Sequence, residues 1–228
     1  MAFHREFTIL TILQPPMFDG YVLTGGKSSR MKTDKAALRL GDATFAERAV
    51  ASLQKIAAGR VSFVVGANQE DETVKLLPLD VPRITDVFPH KAALGGIYTA
   101  LTHSKSEWAV ILACDYPFVT ADLFLRLAEI AKSADEKVAV VVPVQPDGQV
   151  QPLCTLYRVE YCLIAAERLL KNDKILPVRR LLENVETRRV EFRELTDLRG
   201  AKNFFTNVNT PEDYLRVLSI YQKTRSNS

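Results

Sequence analysis

Residues 21–35 have the sequence YVLTGGKSSRMKTDK, in which a short apolar run passes directly into a glycine pair and a series of cations. A strand that ends in a glycine-containing loop is typical of open α/β sheets, whose ligands bind beyond the carboxyl ends of the strands. Glycine has no Cβ, so backbone N–H groups can approach phosphate oxygens closely there. The segment therefore predicts the first strand of a sheet followed by a phosphate-binding loop.

The rest of the first two thirds of the chain alternates apolar runs with amphipathic stretches. Further strand-like runs lie at 61–65, 83–85, 108–113 and 138–142. Helical candidates lie between them at 44–57, 96–102 and 120–132. Several runs are apolar nearly throughout, which favours strands covered on both faces. This alternation predicts βαβ units and an α/β fold with a mostly parallel central sheet.

The pattern changes after residue 142. An Asp-Gly pair within 143–150 predicts a hairpin. Helices are predicted at 159–170 and 177–184, a strand at 188–192, and a last helix with Thr210 as its cap and Pro211 at its first position. No linker or repeat interrupts this order, so residues 17–228 are predicted to form a single domain.

Residues 1–16 are predicted to be an N-terminal extension, disordered or translated from a start upstream of a functional Met17. Their apolar run, residues 7–13, is too short for a bilayer, which requires ~20 residues. No small-residue cleavage site follows it, so a secretory signal is not expected.

The composition indicates the general class of protein but does not indicate its function. The chain has 228 residues, 47% of them hydrophobic, and a net charge of +3, from 30 basic and 27 acidic residues. These values are typical of a soluble globular protein and exclude disorder and fibrous structure. The charge is too small to indicate nucleic-acid binding, and no membrane association is expected. Three cysteines without metal-ligand spacing favour a reducing, cytoplasmic location and buried thiols.

Two well-known nucleotide motifs do not fit residues 21–35. Gly26-Lys27-Ser28 resembles the end of a P-loop, but Tyr21 stands where that motif requires glycine. Gly20 and Gly25 have the required spacing, yet Gly26 then occupies the lysine position. The dinucleotide fingerprint GxGxxG is also absent from the sequence. An ordinary strand-to-helix turn with solvated charges is the alternative interpretation.

Five segments together resemble the molybdenum cofactor guanylyltransferases. Residues 23–35 resemble the LAGGxSxRMGxDK motif of that family, with Thr24 in place of alanine and Lys32 in place of glycine. The other segments are similar to family motifs in the same order: 93–97 to GPLAGI or GPLGGI, 113–118 to CDMPF, 151–157 to PLxALY, and 205–213 to FxNVNTPED. The resemblance extends over roughly residues 17 to 217.

This resemblance implies a Rossmann-like three-layer nucleotidyltransferase fold and transfer of GMP from GTP to molybdopterin, with release of pyrophosphate. The implied catalytic residues are Arg30, Lys35 and Asp115. The implied GTP-binding residues are Leu23, Thr24, Gly25, Gly26, Lys35, Asp86 and Asp115. Asn207 and Asn209 are implied to bind the pterin substrate, with local turn hydrogen bonds as the alternative.

Asp115 also has a physical argument of its own. It follows the apolar run 108–113, at the carboxyl edge of a predicted central strand. A carboxylate there can hold Mg²⁺ while substrate phosphates complete the coordination shell. A capping or turn aspartate is the alternative for Asp115, as a turn residue is for Asp86.

Three other functions remain open at this point. The chain is also compatible with a molybdopterin cytidylyltransferase, a sugar-phosphate nucleotidyltransferase, or a GTP-binding module without turnover. The expected small-molecule partners are GTP and molybdopterin. Molybdoenzymes or other cofactor-biosynthesis proteins are candidate protein partners.

Overall fold

A computed structural model of the protein describes residues 18–24, 34–57, 60–66, 75–171 and 173–226. The N-terminal extension at 1–16 and the loop residues Gly25, Gly26, Arg30 and Lys32 lie outside this described part. Its strands are β1 (Phe18–Leu23), β2 (Arg39–Leu40), β3 (Ala43–Thr44), β4 (Val61–Val65), β5 (Arg83–Thr85), β6 (Trp108–Ala113), β7 (Val140–Pro143), β8 (Cys154–Arg158) and β9 (Thr187–Val190). Its helices are α1 (Phe45–Gln54), α2 (Ala92–His103), α3 (Ala121–Ser133), α4 (Val159–Leu170), α5 (Arg179–Glu183) and α6 (Pro211–Ser226).

The main sheet has the strand order β5-β4-β1-β6-β8-β7-β9. Neighbouring strands are parallel except at β8, which runs antiparallel to both β6 and β7. The strands β1, β4, β5, β6, β7 and β9 therefore end at the same edge. The predicted mostly parallel sheet is confirmed.

Helices cover both faces of this sheet. Side chains from α1 and α3 pack on one face together with Val22 and Val110. Side chains from α2, α4 and α5 pack on the other face with Tyr21 and Ile111. Adjacent residues of β1 and of β6 thus point into opposite layers, as the period of two in a strand requires. The three-layer α/β/α architecture is confirmed.

The N-terminal caps of α1 and α6 agree with those predicted from the sequence. The Thr44 hydroxyl accepts from the Glu47 N–H at 3.1 Å, and the Glu47 carboxylate accepts from the Thr44 N–H at 2.6 Å, which forms the predicted capping box. Thr210 likewise accepts from the Asp213 N–H at 3.2 Å, and α6 begins at Pro211.

Several element boundaries differ from the prediction, and one strand was missed. Helix α2 begins at Ala92 rather than Gly96, and it includes both Gly95 and Gly96, which are buried. Strand β9 ends at Val190, since Glu191 and Glu194 cap a 3₁₀ turn that begins at Phe192. Strand β8, which brings Cys154 beside Leu112, was not predicted as a strand.

The three cysteines, Cys114, Cys154 and Cys162, are buried free thiols, as predicted. Among the described helices, none combines the length and apolar character needed to cross a membrane.

Candidate active site

Three polar side chains follow strands that end at the shared carboxyl edge of the sheet. Asp115 lies two residues beyond the end of β6, Thr24 follows β1, and Asp86 follows β5. The segment 205–209 passes beside the same edge, where the Val208 N–H donates to the Asp115 carbonyl at 3.0 Å. This is the edge at which open α/β sheets bind ligands.

The carboxylate of Asp115 is largely buried. Its side chain is 18% exposed, and its Oδ2 accepts from the Lys35 ammonium at 3.3 Å. Its Oδ1 is buried and has no hydrogen-bond partner within the described residues. Burial raises the pKa of Asp115, and the charge of Lys35 only partly offsets this effect.

Lys35 is positioned by a short 3₁₀ turn, Lys35–Ala37, that follows the loop after β1. The Asp34 carboxylate caps this turn by accepting from the Ala36 N–H at 2.8 Å. Besides its contact with Asp115, the ammonium donates to Asn209 Oδ1 at 2.7 Å. One cation thus joins the β6 edge to the segment that precedes α6.

That segment is fixed by the start of α6. The Asp213 carboxylate accepts from the backbone N–H groups of Asn209 and Thr210, both at 3.0 Å. These bonds lower the pKa of Asp213 and fix the backbone of Asn209, whose side chain is then free to point at Lys35.

Sequence reasoning missed two residues that border this cluster. The Tyr116 hydroxyl donates to Gln151 Oε1 at 3.0 Å, and it also shares a side-chain hydrogen bond with Asn207. Gln151 is 7% exposed, and burial raises the pKa of Tyr116 well above its usual value. Both residues stand in motif-like segments, next to Asp115 and at 151–157, but only the folded chain shows that they meet.

Residues 20–190 match the family described as the MobA-like NTP transferase domain. The chain belongs to this family.

Relatives of similar length agree with this assignment, and a solved structure shares the fold. The chain is 32% identical over 201 residues to a probable molybdenum cofactor guanylyltransferase of Carboxydothermus hydrogenoformans, covering 88% of this chain and 94% of the relative. It is 29% identical over 195 residues to a probable molybdenum cofactor guanylyltransferase of Clostridium perfringens, covering 85% and 92%. The fold is similar to that of molybdopterin-guanine dinucleotide biosynthesis protein A from Archaeoglobus fulgidus, with a TM-score of 0.75, 22% identity, and coverage of 90% and 99%.

The MobA-like fold places Asp86 apart from Asp115. Strands β5 and β6 are three steps apart in the sheet, which corresponds to roughly 14 Å at the usual strand spacing. Asp86 Oδ1 accepts from the Phe88 N–H at 2.8 Å and from the Thr99 hydroxyl at 3.0 Å. Asp86 therefore lies on the same edge as Asp115, but near the opposite end of any ligand that spans the two.

Leu23 and Thr24 use their described polar groups within the sheet. The Leu23 carbonyl accepts from the Cys114 N–H at 3.1 Å, and both the N–H and the hydroxyl of Thr24 donate to the Val64 carbonyl at 3.1 Å. These bonds tie the end of β1 to β4 and to the start of the Asp115 loop. They fix the point at which the glycine loop leaves the sheet.

The groups around Asp115 suit a hard cation that takes only one or two of its ligands from the protein. Within the described residues there is no cluster of three or more potential ligand side chains. Asp115 nevertheless presents a buried oxygen without a hydrogen bond. Mg²⁺ typically binds in this way, through one or two carboxylates together with substrate phosphates and water.

Proposed function

We propose that the protein transfers GMP from GTP to the terminal phosphate of molybdopterin, forming molybdopterin guanine dinucleotide and pyrophosphate. The supporting observation is the contact of Lys35 with both Asp115 and Asn209. This contact brings Lys35, which follows the glycine loop, beside segment 205–213, which resembles the pterin-binding motif. The names of the two guanylyltransferase relatives support the choice of substrates.

In this proposal, an oxygen of the acceptor phosphate forms a bond to the α-phosphorus of GTP, and the bond from that phosphorus to the pyrophosphate oxygen breaks. The acceptor phosphate is mostly a dianion at neutral pH, because its second pKa is ~6. No general base is then required. This agrees with the described part of the cluster, in which the Lys35 ammonium contacts the Asp115 carboxylate and the Asn209 amide.

The residues act by positioning and by neutralising charge. Lys35 holds phosphate oxygens at the reacting centre, with Arg30 as a second cation from the glycine loop. Asp115 would hold Mg²⁺, which supplies charge stabilisation at the phosphates when bound. Gly25 and Gly26 cradle the triphosphate, Leu23 and Thr24 anchor that loop, and Asp86 binds the nucleoside end. Asn207 and Asn209 orient the acceptor.

The distance between Asp86 and Asp115 agrees with this arrangement. A nucleotide that lies across the edge from β6 to β5 must span roughly 14 Å, as an extended nucleoside triphosphate can. A cytoplasmic location completes the proposal, and the buried free thiols support it.

The test is pyrophosphate release from each of the four nucleoside triphosphates in the presence of Mg²⁺ and molybdopterin. We expect release with GTP, dependent on molybdopterin. Release with CTP alone identifies a cytidylyltransferase, and release that requires a sugar phosphate identifies that class instead. GTP binding without any release identifies a binding module and refutes the proposal.

A further inference from the structure

Thr99 is a fully buried polar residue of α2 whose hydroxyl meets the turn that follows β5. Its side chain is 0% exposed. The hydroxyl accepts from the Val87 N–H at 3.1 Å, and both Asp86 Oδ1 and the Gly95 carbonyl lie 3.0 Å from it as acceptors. This side chain therefore connects the helix on one face of the sheet to a residue at the carboxyl edge.

The single proton of the Thr99 hydroxyl has two possible acceptors. The Gly95 carbonyl is also the ordinary α-helical acceptor of the Thr99 N–H, four residues later. A hydrogen bond to a carboxylate is shorter and stronger than one to a neutral carbonyl. The hydroxyl proton therefore favours Asp86 Oδ1, while the hydroxyl oxygen accepts from Val87.

One side of α2 holds the turn 86–88 closely. Gly95, Tyr98 and Thr99 are three and four residues apart, so they share a side of the helix. A Cβ on Gly95 would lie 2.3 Å from the Phe88 carbonyl oxygen, so the absence of that atom permits the approach. The rings of Phe88 and Tyr98 meet edge to face, with 5.3 Å between centroids and an interplanar angle of 70°. The turn is thus fixed by packing as well as by hydrogen bonds.

The Asp86 carboxylate is fixed through only one of its oxygens. Oδ1 accepts from the Phe88 N–H at 2.8 Å and from the Thr99 hydroxyl at 3.0 Å. Among the described residues, none donates to Oδ2 of this half-buried side chain. Two donors on one oxygen define the orientation of the carboxylate, and they leave the other oxygen as an acceptor for a ligand.

We propose that Thr99 is a positioning residue for the nucleotide, which orients Asp86 so that Oδ2 accepts from an N–H or O–H donor of the nucleoside. This inference rests on the proposed function, in which Asp86 binds the nucleoside end of GTP. Thr99 itself does not touch the nucleotide, because its side chain is fully buried and its hydroxyl is engaged within the chain. It acts through Asp86.

The first test is binding of GTP with Mg²⁺, measured by calorimetry, to Thr99→Val and Thr99→Ser. Valine removes the hydroxyl and serine keeps it. We expect Thr99→Val to raise Kd for GTP roughly tenfold, the effect of one hydrogen bond to a charged group, and Thr99→Ser to bind nearly as the wild type does. Thr155→Val is the matched control, because Thr155 is equally buried, donates to the Gln151 carbonyl at 2.7 Å, and lies on β8, four strands from β5. Its Kd for GTP should not change.

A double-mutant cycle separates positioning from a general loss of structure. Asp86→Ala should raise Kd for GTP at least as much as Thr99→Val does. Adding Thr99→Val to Asp86→Ala should then have no further effect, whereas independent effects would add. Additive effects would overturn the proposal. In turnover, Thr99→Val should raise KM for GTP and leave KM for molybdopterin unchanged. If Thr99→Val does not fold, as judged by circular dichroism, Thr99→Ala replaces it in both tests.

A nucleotide analogue identifies the donor that Asp86 meets. Dideoxy-GTP lacks both ribose hydroxyls. If Thr99→Val weakens binding of this analogue as much as that of GTP, the donor belongs to the base. If it weakens binding of GTP alone, the donor is a ribose hydroxyl, and either result supports the role of Thr99.

The outcomes also separate this inference from the proposed function. Normal GTP binding by Thr99→Val, in a protein whose wild type turns over, refutes the role of Thr99 and leaves the proposed function standing. A wild-type protein that binds GTP without releasing pyrophosphate refutes the proposed function, and weaker binding by Thr99→Val then still supports the positioning of Asp86. A wild-type protein that does not bind GTP refutes both.

Discussion

Ala92 joins the 3₁₀ turn Pro89–Lys91 to helix α2 with φ 51° and ψ −145°. Among the described residues, it is the one non-glycine residue with a positive φ. These angles are the mirror image of an extended backbone, which Cβ makes unfavourable for every residue except glycine. Replacing Ala92 by glycine should therefore stabilise the protein, although glycine destabilises the interior of a helix.

The size of the effect follows from two opposing contributions. A non-glycine residue in such a region costs about 1–3 kcal/mol of strain. Glycine costs ~0.5–1 kcal/mol through the larger entropy of the unfolded chain. The Ala92 side chain is exposed, so loss of its methyl group removes little buried surface. The net expectation is a gain of ~1 kcal/mol in the free energy of unfolding, or a Tm rise of ~2–4 °C for a chain of this size.

The adjacent residue provides a matched control. Ala93 lies within α2, and its partly buried side chain packs against the core beneath that helix. Ala93→Gly should therefore lower the free energy of unfolding by ~1 kcal/mol or more, through helix propensity and lost packing. Urea and thermal unfolding of both variants, followed by circular dichroism, measure the two changes. A melting temperature for Ala92→Gly at or below that of the wild type would refute the reasoning.

Four other expectations can be measured directly. Lys35→Met should lower the rate of pyrophosphate release ~10²-fold or more, as loss of one donor to a reacting oxygen does, with the circular dichroism spectrum and melting temperature as the control for folding. Asp115→Asn should lower turnover similarly. Burial raises the pKa of Asp115 in the folded protein, so ionisation of this group destabilises the wild type as pH rises above about 4. The free energy of unfolding of Asp115→Asn, relative to that of the wild type, should therefore increase with pH above this value. A difference that is independent of pH would contradict this. Asp19→Ala should lower the free energy of unfolding by ~2–3 kcal/mol without changing KM for GTP, since it removes the acceptor of Arg60 and of two backbone N–H groups far from the site. Thr44→Ala should cost ~1 kcal/mol in a urea titration by removing one half of the α1 capping box.

The order of strands and helices could be predicted because local chemistry determines most of it. The run 108–113 is uninterrupted and apolar, and it forms the central strand with the predicted bounds. The capping pair Thr44 and Glu47 likewise predicts where α1 begins. Strand β8 could not be predicted, because its position between β6 and β7 depends on pairing with residues far away in the chain. Such pairing leaves no periodic mark on the sequence.

The same limit applies to the candidate site. Asp115 and Lys35 could be identified from their positions after β6 and after the glycine loop, and the structure brings them to 3.3 Å. The contact of Lys35 with Asn209 joins residues 174 positions apart, so no spacing rule indicates it. The bond of Tyr116 to Gln151 was missed for the same reason. The predicted roles of Gly25, Gly26 and Arg30 stay predictions, since these residues lie outside the described part of the chain.

Segment 205–209 is proposed to bind the acceptor, and its attachments decide how the Lys35 variant must be interpreted. The Lys35 ammonium contacts Asn209, but the segment has two other attachments that do not involve Lys35. The Val208 N–H bonds to the Asp115 carbonyl, and the Asp213 carboxylate holds the Asn209 N–H. Because both bonds use backbone atoms of the segment, Lys35→Met should leave Asn209 in place. A fall in turnover with unchanged KM for molybdopterin therefore measures the contribution of the cation to the chemical step. A large rise in that KM would instead show that Lys35 acts mainly by positioning the acceptor.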